Sequence, residues 1–275
     1  MNDGHNTRRE QNMNDGQNTR REQLLKEIGI GPVWRLRDVP QAVADVVAVA
    51  PAEALVAREP DVAVAASAPA PAIARGGDPG PVAGMDWPAL KACVADCTAC
   101  ALHANRNKTV FGVGDENADW LFVGEGPGAD EDAQGEPFVG QAGKLLDNML
   151  AAIALKRGTN VYIANIVKCR PPGNRNPQAE EAQACAAYLQ RQIELIRPKL
   201  IIALGKVAAV NLLGRDASIA SLRGQQHAYH GIPLLVTYHP AYLLRTLSDK
   251  AKAWEDLCFA VKTMADLQMS GPAAA

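Results

Sequence analysis

An α/β fold with a mainly parallel sheet is predicted by three features of this 275-residue chain. Short apolar-rich runs recur at Ala118 to Val123 (ADWLFV), Val161 to Val167 (VYIANIV), Leu200 to Leu204 (LIIAL) and Leu234 to Thr237 (LLVT), and they read as buried strands. Helical patterns separate them, at Ala142 to Leu155, Pro177 to Ile196 and Lys206 to Leu213, with an amphipathic Lys250 to Leu267 closing the region. Unusual residues then stand where the strands end: Gly124-Glu125-Gly126-Pro127-Gly128, Asn165, and His239-Pro240. Strands alternating with helices predict a doubly wound, three-layer α/β/α domain on a central, mainly parallel four-stranded sheet. A disordered N-terminal extension is expected to precede it.

That extension is assigned to residues 1–84. It opens on two near-identical polar ten-mers, NDGHNTRREQ (Asn2 to Gln11) and NDGQNTRREQ (Asn14 to Gln23), which are too short and too polar to bury a core. A short helical segment is expected near 22–37, where Leu24, Leu25, Ile28, Val33, Trp34 and Leu36 cluster. It could dock a protein partner or pack on its own domain. From Pro40 an Ala/Val/Pro-rich run reads as a semi-extended linker, interrupted by prolines and charges in a way no membrane span is. The texture changes at Asp86, where a helix over Pro88 to Ala99 is expected to deliver Cys97 and Cys100 at its end. The folded domain is assigned to 85–269 and a flexible tail to 270–275.

Asp3, Arg8, Arg9 and Glu10 stand where a signal peptide would have its apolar segment, so a cytoplasmic location is expected. The formal net charge of -2 means that any attraction to nucleic acid must come from a local basic patch. Six cysteines in such a chain are not needed as staples. Cys97 and Cys100 form a close pair, Cys169 stands beside Arg170-Pro171-Pro172, and Cys185 follows on the next helical pattern. Four thiolates suit an iron–sulfur cluster or a tetrahedral zinc, and spacing does not choose between them.

The three strand ends are expected to converge on one crevice. The Gly-rich turn lets a ligand approach the backbone, and Glu125, Glu131 and Asp132 put carboxylates at its rim. Neither a G-x-G-x-x-G fingerprint nor a P-loop is present, and the acidic rim opposes a phosphate cradle.

Taken together, GEGPGADED, GEPFVGQAGKLL, NIVKCRPPGNRNP, Cys185 and HPAYLLR resemble a family 4 uracil-DNA glycosylase, over roughly Cys97 to Leu267. The resemblance implies a DNA repair enzyme that flips uracil out of single- or double-stranded DNA and hydrolyses its N-glycosidic bond. It also implies a structural 4Fe-4S cluster on Cys97, Cys100, Cys169 and Cys185. Phe138 would stack the flipped base. Asn165 would pair with the uracil edge, donating to O4 and accepting from N3–H, a pattern cytosine opposes. His239 would donate to O2 as negative charge grows there. Glu125, or else Glu131 or Asp132, would position water, and Gly126 and Pro127 would line the pocket. Gly128 stands where better-known uracil glycosylases carry a Tyr that excludes the thymine methyl, a task that Glu131 could supply.

On DNA, Leu243, with Leu244 beside it, would wedge into the vacated stack, and Arg245, Arg170, Arg175 and Lys168 would meet phosphates. Cys93 is a possible substitute ligand and Cys258 a core residue. Some superfamily members trap the sugar covalently through a His in a basic insertion, usually with GEQPG in the first motif. This chain has GEGPG and no such insertion after Pro172, so turnover is expected. A monomer is expected, with no membrane association. An iron–sulfur electron carrier and a noncatalytic zinc-stapled DNA-binding module are the alternatives from other classes.

Overall fold

The computed structural model describes residues 82–269. The polar repeats, the Trp34 segment, nearly all of the linker and the 270–275 tail lie outside the described residues.

Six strands form one sheet: β1 (Val113–Gly114), β2 (Trp120–Gly124), β3 (Val161–Asn165), β4 (Leu200–Leu204), β5 (His227–Tyr229) and β6 (Ile232–Thr237). Their spatial order is β1-β3-β2-β4-β6-β5. The four inner strands run parallel, and they are the four expected. The count of four is corrected to six by β1 and β5, which pair antiparallel at the two edges. At two and three residues these edge strands are too short to leave an alternating pattern in the sequence.

The inner strands β2, β3 and β4 are buried along their whole length, as strands covered on both faces must be. Alternate residues feed two cores. Leu121, Val123, Ala164, Ile201, Ala203 and Val236 face one side. There they meet α1 (Trp87–Ala95), α4 (Ala179–Ile196) and α5 (Lys206–Leu213) through residues such as Leu90, Leu189 and Ala208. Trp120, Phe122, Ile163, Ile202 and Leu235 face the other. They meet α3 (Gln141–Ala152) and α8 (Lys250–Met269) through Leu146, Leu150 and Met264. The result is the expected three layers.

Three short α-helices are also present: α2 (Ala129–Gln134), α6 (Ile219–Leu222) and α7 (Pro240–Arg245). Helix α1 begins where Asp86 accepts from the Ala89 amide at 3.0 Å and Pro88 occupies the first turn. It ends at Ala95 and not at Ala99, so Cys97 and Cys100 lie in the turn beyond it, ahead of a 3-10 segment over Ala101–Asn105.

From β2 the chain crosses through α3 to β3 on one side and later through α4 to β4 on the other. The carboxyl end of β2 is therefore the point where winding reverses, the place where open α/β sheets bind ligands.

Candidate active site and cysteine cavity

Strand β2 ends on Gly124, which lies opposite Asn165 at the end of β3. A side chain at Gly124 would lie 2.5 Å from both the Asn165 Oδ1 and the Phe138 ring. The bare α-carbon thus lets an amide and an aromatic ring meet above the sheet. The Phe138 ring is in turn 5.5 Å from the His239 imidazole, centre to centre, with 32° between the planes. His239 follows β6 and packs against Gly205, after β4, where a Cβ would come within 2.9 Å of the His239 Cβ. Phe138, Asn165 and His239 thus converge at the ends of neighbouring strands. Asn165 is buried, yet its Oδ1 has no hydrogen-bond partner among the described residues. A buried acceptor left open is costly unless a ligand satisfies it.

His239 caps α7, its Nδ1 accepting from the Ala241 amide at 3.1 Å. That bond leaves Nε2 to carry the proton in the neutral ring. Burial first, and the Arg245 charge second, push the His239 pKa down to about 4, against a smaller opposing effect of Glu131. At neutral pH the imidazole is an uncharged donor through Nε2.

The three acidic candidates separate cleanly. Glu131 Oε1 accepts from the amides of Val139 and Gly140 at 2.9 and 3.1 Å, while Oε2 accepts from Gly128 at 3.0 Å. The carboxylate thus ties the Val139–Gly140 turn to the start of α2. Asp132 is likewise occupied, accepting from the amide and side chain of Asn107 at 2.9 and 2.6 Å. The Glu125 carboxylate bonds no protein donor among the described residues, and burial raises its pKa above the usual carboxylate value. Gly126 packs directly on the chain after β3, where a Cβ would meet Val167 at 2.8 Å, and Pro127 is buried beside it.

Phe138 itself sits at φ 56°, in the left-handed region. For a bulky residue this conformation is strained by about 1–3 kcal/mol. Gly143 makes it possible, since any Cβ there would overlap the Phe138 carbonyl. Arg157 donates to the carbonyls of Pro137 and Phe138, each at 2.8 Å, and through Nε to Asp147 at 3.0 Å.

On the other side of β3 a second cavity is lined by Cys97, Cys100, Cys169 and Cys185, with His103, Arg106, Lys168 and Tyr188. All four thiols are free, and Cys169 and Cys185 are buried. Burial raises the Cys169 pKa and pushes that of Cys185 up to about 12. Donors already point at the sulfurs: Arg106 at Cys169 Sγ and the Lys168 amide at Cys185 Sγ, both at 3.3 Å. Such an array of soft ligands with N–H donors fits an iron–sulfur group. Among the described residues no group of three or more His, Cys, Asp or Glu side chains is already drawn together around a metal position. Cys93 does not line the cavity and meets the Tyr188 hydroxyl at 3.8 Å, and Cys258 is exposed on α8, which corrects its expected place in the core.

Residues 111–258 match the model of the uracil DNA glycosylase superfamily. The chain belongs to that superfamily. It is 46% identical over 161 residues to a type-4 uracil-DNA glycosylase of Thermotoga maritima, a match covering 58% of this chain and 83% of that protein. Another type-4 enzyme, from Archaeoglobus fulgidus, is 46% identical over 55% of this chain and 79% of its own. A third, from Pyrobaculum aerophilum, is 41% identical over 63% and 92% respectively. The recognition made on the motifs is thus supported by the whole domain.

Within this superfamily member the expected DNA contacts divide. Leu243 is wholly buried against Met149, Ala253 and Leu257, so its assignment as the wedge is corrected. Its neighbour Leu244 is 42% exposed, and Arg245 beside it is exposed. Arg175 is held by both oxygens of Glu181 at 2.6 and 2.8 Å, which opposes a free phosphate contact. Arg170 donates to Asn174 at 2.7 Å and remains partly exposed. Lys168 is not a surface cation. It is buried and donates to the Asn165 carbonyl at 3.0 Å and to Gln192 Oε1 at 2.6 Å, between the Asn165 site and the cysteine cavity. Gln192 and Arg157 are contributors that residue patterns missed, and Lys168 was expected on phosphate and not in this buried link. Their partners are far along the chain, and only the fact that Lys168 adjoins Cys169 offered a hint.

Proposed function

We propose that the enzyme flips uracil out of DNA and hydrolyses its N-glycosidic bond, leaving an abasic site. The observation that carries the residue roles is the buried, unpartnered Asn165 Oδ1 beside the Phe138 ring and the His239 imidazole. A flipped uracil stacks on Phe138, which is already fixed in place. Its N3–H satisfies Asn165 Oδ1, and its O4 accepts from the same amide. Cytosine would set a bare N3 against that oxygen and an amino group against the amide N–H, so both contacts would repel.

As the glycosidic bond breaks, electrons flow onto uracil O2 and the sugar becomes cationic. Neutral His239 donates through Nε2 to that oxygen, an interaction stronger in the transition state than in the ground state. Glu125, the one carboxylate of the three left free, orients the attacking water and faces the sugar cation. Glu131, held in place by three amides, forms a fixed wall at the rim, suited to exclude the thymine methyl. Leu244 takes the wedge role, with Arg245 and Arg170 on phosphates. With no insertion after Pro172, the product is released.

Cys97, Cys100, Cys169 and Cys185 would hold a 4Fe-4S cluster that cross-links the turn after α1, the loop after β3 and helix α4. Arg106 and the Lys168 amide stabilise its thiolates. Among the described residues no helix is long and apolar enough to cross a membrane. A cytoplasmic monomer acting on single- or double-stranded DNA completes the reading, with the N-terminal segment free to dock a partner.

The test is release of free uracil from uracil-containing oligonucleotides, with Asn165→Ala and His239→Ala alongside. Full activity in both variants would overturn the residue assignments. Absence of release by the wild type, or a denaturant-resistant adduct in place of free uracil, would overturn the reaction. Anaerobic purification giving broad absorption near 400 nm supports the cluster, and a colourless zinc protein would refute it.

A further inference from the structure

We infer that Arg157 is the residue that sets Phe138 as a stacking platform, and that it acts on base binding rather than on bond cleavage. The inference rests on the reading that the pocket takes uracil. Phe138 is held at φ 56°, a conformation that an unrestrained Phe leaves. Helix α2 contributes Glu131, which captures the amides of Val139 and Gly140. Those bonds hold the N–H groups that follow Phe138 and leave the Pro137 and Phe138 carbonyls on either side of its α-carbon to be held by something else. Arg157 is that group: its two terminal nitrogens reach the Pro137 and Phe138 carbonyls at 2.8 Å each.

The guanidinium is itself aimed. Asp147 on α3 takes the Nε–H at 3.0 Å, so the fork faces the loop with all three nitrogens engaged. The Arg157 side chain is 22% exposed, against 48% for Asp147, so the fork is sheltered while its anchor faces water. An isolated surface ion pair would contribute little. A planar fork on two successive carbonyls does something an ion pair does not, because it defines a peptide orientation. Lysine carries the charge without that geometry.

Loss of the clamp lets Phe138 leave the left-handed region for part of the time. The apparent affinity for the base then falls by the fraction of time the platform is absent, while the step after binding is unchanged. Arg157→Lys should therefore raise KM for a uracil-containing oligonucleotide and the inhibition constant of free uracil by one common factor, about tenfold. The value of kcat should stay within about twofold and Tm should hold, because the ion pair to Asp147 survives. Asp147→Asn, which frees the aim of the fork but keeps the fork, should move both constants in the same direction by less.

Unchanged KM and uracil inhibition in Arg157→Lys would overturn the inference. So would a fall in kcat with unchanged uracil inhibition, or a loss of activity that simply follows a lowered Tm in both variants. Failure of the wild type to release uracil would instead refute the underlying reading.

Discussion

The base pocket and the cysteine cavity are built from the same stretch of chain, four residues apart at Asn165 and Cys169, yet they are opposite kinds of site. In the pocket the protein supplies nearly everything beforehand. His239 is held neutral, Phe138 is fixed in a strained conformation, and the one conspicuous open position is a single acceptor, Asn165 Oδ1. In the cysteine cavity the protein brings soft ligands whose burial disfavours the thiolate form, with Cys185 pushed up to about 12. Coordination by the proposed metal group would make the anionic form favourable there, because the metal replaces the proton. The pocket is therefore preorganised for chemistry, whereas the cavity is organised for assembly. Substitutions in the two regions should fail in different ways.

The largest effect is expected in the cavity. Cys185→Ser keeps the size of the residue but removes a soft ligand at a buried position on α4. Loss of the 400 nm absorption, a lower Tm and loss of excision should occur together, because α4 packs on the sheet through the same face that carries Cys185. A variant that kept Tm and activity while losing colour would break the contrast between the two sites.

Next come Asn165 and His239, where activity should fall while the fold persists. Removing the His239 donor by His239→Ala should lower kcat about 100- to 1000-fold, the usual loss for one preorganised transition-state donor. Asn165→Asp should lose uracil excision by a similar factor and gain trace activity on cytosine, since a carboxylate accepts from an amino group where the amide donated to O4. Near-wild-type absorption and Tm in both variants are part of the expectation.

These two groups of residues were legible to different degrees before the structure was in view. Asn165, His239 and the four cysteines stand in motifs, and β2, β3 and β4 are apolar runs that local reasoning reads directly. Glu125, Glu131 and Asp132 read alike as rim carboxylates when only the sequence is known, although Glu131 and Asp132 lie on helix α2. In the fold two of those three carboxylates are spent on amides. Leu243 and Leu244 differ only in helical phase, and the short α7 gives too little periodicity to say which faces the core. Arg157 reaches the Phe138 carbonyl 19 residues away and Lys168 reaches Gln192 24 residues away, across elements whose packing no local pattern encodes.

The pH profile sharpens the pocket half of the comparison. His239, at about 4, is neutral throughout the physiological range, so kcat should show no inflection near 6.5. Glu125 must be ionised to orient water, and its raised pKa means that it takes up a proton at a higher pH than an ordinary Glu. Activity should thus fall on the acid side at a pH above 4.5, the usual value for the group. Glu125→Gln should lower the rate and abolish that acid limb. An acid limb that survives in this variant would move the role to another group.

The smallest effect on activity is expected where the two regions touch. Lys168 spans them, with its ammonium on the Asn165 carbonyl and Gln192 and its amide on Cys185 Sγ. Lys168→Met retains the amide and much of the side-chain volume, so the cluster should load and the 400 nm band should remain. Two buried acceptors lose their donor, a loss of about 1–3 kcal/mol each, and Tm should drop by several degrees. Excision should weaken only a few-fold, because the Asn165 side chain and Phe138 are still held from the other side by Gly124, Glu131 and Arg157. A loss as large as that of Asn165→Asp would show that the preorganisation of the pocket depends on the cavity, and the two sites would then have to be treated as one.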